Sequence, residues 1–185
     1  MFNNKTIVLI DGENMVLRFQ ELKNSRKALR EGLAYRKDVY IWNPQLTQHP
    51  RMSIIRVSYY TTFVGADKEQ SSLKDEIAKL DYHYRWGPGV PGSGGSLCPY
   101  VYKKEKKTKK TKSVDINITI DALRHTYNNS IDMLYLLSGD GDYIPLIEEV
   151  MRQGKKVIVG AFSSGLNPGL KHVPDQFIDI DHLFF

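Results

Sequence analysis

Apolar residues in this chain come in two rhythms: short unbroken runs, and sets spaced at helical intervals. KTIVLIDG (5–12) is a continuous run closed by Asp-Gly, the pattern of a central strand buried on both faces. MVLRFQELKNSRKALREGL (15–33) carries apolar residues at 15, 16, 19, 22, 29 and 33, and predicts an amphipathic helix with a basic outer face. NPQLTQHP (43–50) reads as a loop, MSIIRVSYYTTF (52–63) as a β-branched and aromatic strand, and DKEQSSLKDEIAKL (67–80) as a helix. YHYRWG (82–87) predicts a short strand, and PGVPGSGGSLCP (88–99) has the Gly, Pro and Ser content of a segment without regular structure. YVYKKEKK (100–107) reads as a brief extended piece, so residues 88–111 together are expected to be a mobile Gly/Pro/Lys-rich insertion.

The second half is clearer. SVDINITIDALRHTY (113–127) sets Ile116, Ile120, Leu123 and Tyr127 at helical spacing. DMLYLLSG (132–139) predicts a strand, DYIPLIEEVMRQG (142–154) a helix ended by Gly154, and KKVIVGAF (155–162) another strand. NPGLKHVPDQFIDID (167–181) closes with a short helix and a short strand. Strands alternating with helices, without internal repeats, imply one α/β domain over 1–185: a mostly parallel sheet covered on both faces.

In such sheets, ligands bind beyond the carboxyl ends of the strands. Asp11 follows IVLI, Asp140 and Asp142 follow LYLLSG, and Asp115 lies in the first turn of the 113–127 helix. Taken singly, Asp140 or Asp142 is an ordinary helix cap, Asp115 a first-turn acid, and Asp11-Gly12 a turn. Taken together they belong to one predicted edge. Two carboxylates about 4 Å apart repel by roughly 4 kcal/mol at an effective dielectric near 20, so protons or a cation must offset the gathering. Oxygen donors without Cys or His select Mg²⁺ or Mn²⁺, ions suited to phosphodiester hydrolysis. Asp121 stands six residues on from Asp115, about 120° around the helix, and is expected to be a supporting residue or cap partner.

Composition narrows the class. The 185 residues are 41% hydrophobic and 25% charged, as in an ordinary globular domain. No run approaches the roughly 20 apolar residues of a membrane helix, so no membrane partner is expected. The opening MFNNKTIVLIDGEN lacks a signal-peptide pattern, and the single cysteine, Cys98, suits a reducing cytoplasm. The five histidines show no zinc-ligand spacing.

The net charge of +5 is unevenly spread. Lys103, Lys104, Lys106, Lys107, Lys109, Lys110 and Lys112 crowd one stretch, and Arg18, Lys23, Arg26, Lys27, Arg30, Arg36 and Lys37 form a second set. Clustered cations favour a polyanion, most simply nucleic acid, although such a lysine run is equally a solvated loop. Tyr59, Tyr60, Tyr84 and Trp86 are either core residues or platforms for unpaired bases.

VLIDGEN, KSVDINITIDAL, LYLLSGDGDYIPLIEEVMRQGKKVIVGAF and VPDQFIDI closely resemble the NYN domain, particularly its LabA-like bacterial branch. RVSYYTTF fits its second strand loosely, while 20–50 and 88–111 match no part of it. The resemblance implies a PIN-like, Rossmann-like three-layer α/β/α sandwich with an acidic, metal-dependent site that uses Mg²⁺ or Mn²⁺ and acts on RNA, in single-stranded or loop regions. Asp11, Asp115, Asp140 and Asp142 match the acidic positions; Asn14, Lys112 and Ser138 match polar positions beside them. Ser113 stands where the family often has Gly, and Tyr143 where Phe is common. Asn14 suits a hydrogen bond to an acid or phosphate, or a helix cap; Lys112 suits a phosphate oxygen, or solvent; Ser138, with no His partner, suits loop orientation. A divalent-metal-dependent ribonuclease is therefore expected. The alternative is an inactive NYN domain serving as an RNA-binding or protein-interaction module, and a homodimer stays open.

Two rivals fall away. GPGVPG (87–92) matches G-x-G-x-x-G, but no helix follows to receive a pyrophosphate. A haloacid-dehalogenase-type phosphatase needs Asp two residues after its nucleophile, where this chain has Glu13, and a cap domain that is not evident.

Overall fold

The computed structural model describes residues 4–25, 28–48, 52–84, 92–104 and 112–185. At its centre, β1 (Asn4–Asp11) sends Ile7 and Leu9 into one hydrophobic cluster and Val8 and Ile10 into the other. Both faces are therefore covered, and each such side chain contributes about 1.5–3 kcal/mol by leaving water. α1 (Gly12–Ser25) starts at once and turns Met15, Val16 and Phe19 inward. Gly12 permits this abrupt entry: a Cβ there would lie 2.5 Å from the Tyr59 ring and 2.6 Å from the Tyr60 carbonyl oxygen.

The helix expected over 15–33 stops at Ser25, whose hydroxyl donates to the Leu22 carbonyl. Tertiary pairing overrides the periodicity beyond it. The Arg30 amide donates to the Phe184 carbonyl at 2.9 Å, Gly32 takes φ +79°, and the chain enters a hairpin of β2 (Ala34–Arg36) and β3 (Tyr40–Trp42). The basic residues of 18–37 thus do not share one helix face.

β4 (Met52–Phe63) occupies the expected span and runs parallel to β1; α2 (Asp67–Ala78) follows. Part of the stretch expected to lack regular structure does form strands. β5 (Asp81–His83) pairs antiparallel with β6 (Gly94–Ser96), and β7 (Cys98–Lys103) lies parallel to β4 as an edge strand. Tyr100 of β7 stacks on Tyr60 with ring centroids 4.7 Å apart, and Pro99 is tolerated because the strand is at the edge. Residues 85–91 and 105–111, which include Trp86 and most of GPGVPG, lie outside the described residues.

α3 (Lys112–Tyr127) and β8 (Met133–Leu137) come next. The helix expected over 142–154 divides into a 3₁₀ turn (Gly141–Tyr143) and α4 (Ile144–Arg152), with Pro145 in the opening turn and Gly154 beyond the end at φ +75°. β9 (Lys156–Ala161) and β10 (Gln176–Asp179) complete the sheet.

The strand order is β10-β9-β8-β1-β4-β7, with every neighbouring pair parallel. α1 and α2 pack with the β2–β3 hairpin on one face, α3 and α4 on the other. This is the expected three-layer α/β/α sandwich. From β1 the chain builds outward through β4 and β7, then returns to β1's other side with β8. The order reverses between β1 and β8, the point beyond whose carboxyl ends sheets of this kind bind their ligands.

Candidate active site

Asp11 is the last residue of β1 and is only 2% exposed. Its Oδ1 accepts the Asn14 amide at 3.0 Å, capping α1, and its Oδ2 accepts the Ser138 hydroxyl at 3.0 Å. Burial, more than anything else, pushes its carboxyl up from 3.8 to about 7; these two hydrogen bonds oppose the rise, and the charges of Asp115 and Glu13 add to it.

Ser138 is fully buried just beyond β8. While donating to Asp11 it accepts the Asp140 amide at 3.2 Å, so one hydroxyl links the two strand ends. Asn14 makes a second link, its Oδ1 accepting the Gly139 amide at 2.9 Å. Asp140 caps the 3₁₀ turn, its Oδ1 accepting the Asp142 amide at 3.0 Å.

Asp115 sits in the first turn of α3 and accepts the Tyr143 hydroxyl at 3.1 Å. Burial raises the Tyr143 phenol far above its ordinary range, and the nearby charges of Asp11, Asp115 and Asp140 reinforce the effect. Tyr143 therefore stands amid three of the four expected acids. In the sequence it stands out only as Tyr in place of Phe, and its hydroxyl beside an acidic edge is the available signal.

The remaining expected residues divide. Asp142 is exposed, and Lys112 is exposed at the start of α3. Asp121 turns away from the acids: it accepts the Tyr60 hydroxyl at 2.6 Å and pairs with Arg124 at 2.6 Å. Lys103 pairs with Asp67 at 2.6 Å, and Lys104 with Glu13 at 2.9 Å. Lys106, Lys107, Lys109 and Lys110 lie outside the described residues. Tyr59, Tyr60 and Tyr84 are buried, so they serve the core and offer no platform for bases.

Glu13 is a further acid beside the site. It accepts hydrogen bonds from Thr62 and Lys104, and all three border a cleft of about 610 Å³ that reaches Asp11 and Asp140. Asp115 and Asp142 do not line this cleft.

Among the described residues, no three acidic, imidazole or thiol side chains are gathered closely enough to hold a metal ion as they stand. The four acids share an edge without forming a closed ring of ligands. The donor chemistry nevertheless fits a hard cation: oxygen atoms only, beginning with a buried carboxyl whose ionisation is costly without positive charge beside it.

A family model described as the NYN domain matches residues 5–181. The chain belongs to the NYN domain family. NYN domains are PIN-like nucleases that generally use divalent metals and bind RNA. This NYN domain is 32% identical over 71 residues to an uncharacterized protein of Methanocaldococcus jannaschii; the shared stretch is 38% of this chain and 30% of that protein. A crystal structure of a protein of unknown function from Vibrio parahaemolyticus is similar with a TM-score of 0.63, at 23% identity, over 99% of this NYN domain and 96% of the other chain. That likeness shows the fold. No helix among the described residues is long and apolar enough to cross a membrane.

Proposed function

We propose that this NYN domain, as a member of the LabA-like branch, is a cytoplasmic ribonuclease that hydrolyses phosphodiester bonds of single-stranded or loop RNA with Mg²⁺ or Mn²⁺. One observation carries the reading: Asp11, buried at the switch point, is tied through Ser138 to the loop of Asp140 and feels the charge of Asp115. A carboxyl perturbed by burial and bordering a cleft is a functional-site candidate.

Asp11, Asp115 and Asp140 would hold the ion, with Asp142 completing the set or orienting the attacking water. A divalent ion in such a site supplies an activated hydroxide and neutralises charge on the phosphodiester. The chain's own work is positional. Ser138 and Asn14 hold the β8 loop against α1, Tyr143 orients Asp115 through its hydroxyl, and Lys104 balances Glu13 at the cleft wall.

A second reading, an RNA-binding or protein-interaction module without turnover, is favoured by the absence of a ready three-ligand group among the described residues. The two separate on cleavage. Purified protein given unpaired RNA should cut it with Mn²⁺ or Mg²⁺ and not with chelator, and Asp11→Asn should abolish the cut while leaving RNA binding measurable. Wild-type protein that binds RNA and never cleaves it would establish the second reading.

A further inference from the structure

We propose that the cleft beside Asp11 holds one unpaired nucleotide, with its base against an apolar floor and its phosphate against Arg18 and Lys37. This rests on the RNA reading above and deepens it by naming the part of the strand that is gripped.

The cleft's volume of about 610 Å³ falls within the range of small-molecule sites, and its lining combines apolar, acidic and basic side chains. Asp11, Glu13 and Asp140 border it. Its wall between α1, the β2–β3 turn and α2 carries Leu17, Val39, Phe63, Val64 and Leu73, with the acids Asp38 and Glu69 among them. Leu17 and Val64 remain 50% and 47% exposed, large apolar side chains left in water beside a polar site. A planar base covers such a floor; a bare phosphate or a sugar does not.

The cations are set for the rest of the nucleotide. Arg18 Nη1 donates to both carboxylate oxygens of Glu21 at 3.1 Å. Its guanidinium lies against Gly165, where a Cβ would come within 2.1 Å of Arg18 Cζ, and Gly165 holds φ +56°. The side chain is thus fixed before any ligand arrives, which spares the ordering cost of binding. The Arg18 side chain remains 25% exposed at the cleft, and a guanidinium is a natural partner of phosphate. Lys37, at the hairpin turn, makes no ion pair among the described residues.

A base in a duplex can enter this recess only by leaving its pair and its stack, a cost that an unpaired base does not carry. The cleft therefore selects single strands, and it sets the neighbouring phosphodiester toward Asp11 and Asp140.

The test is titration of UMP and AMP into the whole protein without divalent cation, followed by amide chemical shifts. Shifts are expected at Leu17, Arg18, Lys37 and Val64. The variant Leu17→Glu/Val64→Glu, altered at two half-exposed positions, should retain the wild-type melting curve and bind about tenfold more weakly, the scale of one lost base contact. Arg18→Gln should weaken binding of the monophosphates more than that of the nucleosides. Absence of shifts in the cleft, or undiminished affinity in the double variant, overturns the proposal even if the protein cleaves RNA. Nucleotide shifts in the cleft of a protein that never cleaves would leave the subsite standing and remove the nuclease reading instead.

Discussion

The Ser138 hydroxyl donates to Asp11 Oδ2 at 3.0 Å across 127 positions of sequence, and the same oxygen accepts the Asp140 amide at 3.2 Å. One buried hydroxyl therefore joins the two chain ends just beyond the last ladder pair of β1 and β8, Ile10 with Leu137. Ser138→Ala removes a donor that lowers the Asp11 pKa, so that carboxyl should titrate higher still. The unmet partners should cost about 1–3 kcal/mol of stability. Metal affinity or activity should fall about 10–100-fold, as for other residues that orient ligands. Melting curves and cation titrations check both.

Asp11 also makes stability depend on pH. Its carboxyl titrates at about 7 folded against 3.8 ordinarily, so the folded state holds the proton more tightly. Without divalent cation, this stabilising contribution is complete below 3.8 and is lost as pH rises toward about 7. Asp11→Asn should flatten that part of the profile and raise the melting temperature at alkaline pH. Mg²⁺ or Mn²⁺ affinity should climb through the same window as binding displaces the proton. Unchanged pH profiles in the variant would refute the assignment.

Tyr143→Phe tests the bond to Asp115. Loss of that hydrogen bond should cost about 0.5–1.5 kcal/mol, and the fold should persist because the ring stays buried. Cleavage should weaken through poorer placement of Asp115, seen as a lower kcat and weaker metal dependence with circular dichroism unchanged.

Lys104→Met should leave Glu13 without its cation in a half-buried setting and lower stability by about 1–3 kcal/mol. Adding Glu13→Gln should restore most of the loss. A double-mutant cycle showing simple additivity would refute the coupling.

Gly12→Ala should destabilise by about 1–3 kcal/mol, since its Cβ would press on the Tyr59 ring and the Tyr60 carbonyl. Chemical denaturation gives the value, and a neutral result would show that the junction between β1 and α1 yields.

Much of the frame was legible because a parallel sheet buries both faces of its strands. IVLI, MSIIRVSYYTTF, MLYLL and KVIVGA are therefore continuous apolar or β-branched runs, and Asp11, Asp115 and Asp140 follow from counting to the end of a strand or the start of a helix. The errors share one cause. Leu29 and Leu33 keep helical spacing with α1, yet the chain there bonds its backbone to Phe184 and folds into the β2–β3 hairpin, a choice made by distant partners. CPYVYK reads as a minor extended piece until β4 lends it an edge.

The sequence by itself determined the layered α/β order and which acids reach the carboxyl edge, because periodicity and strand polarity are local properties. Only the tertiary structure decided that Ser138 would bridge Asp11 and Asp140, that Tyr143 would hold Asp115, that Lys104 would answer Glu13, and that Asp121 would serve Tyr60. Apart from Ser138 and Asp140, two residues apart, those partners lie far apart along the chain, and their hydrogen-bond geometry is set by the packing between elements, which no local pattern encodes.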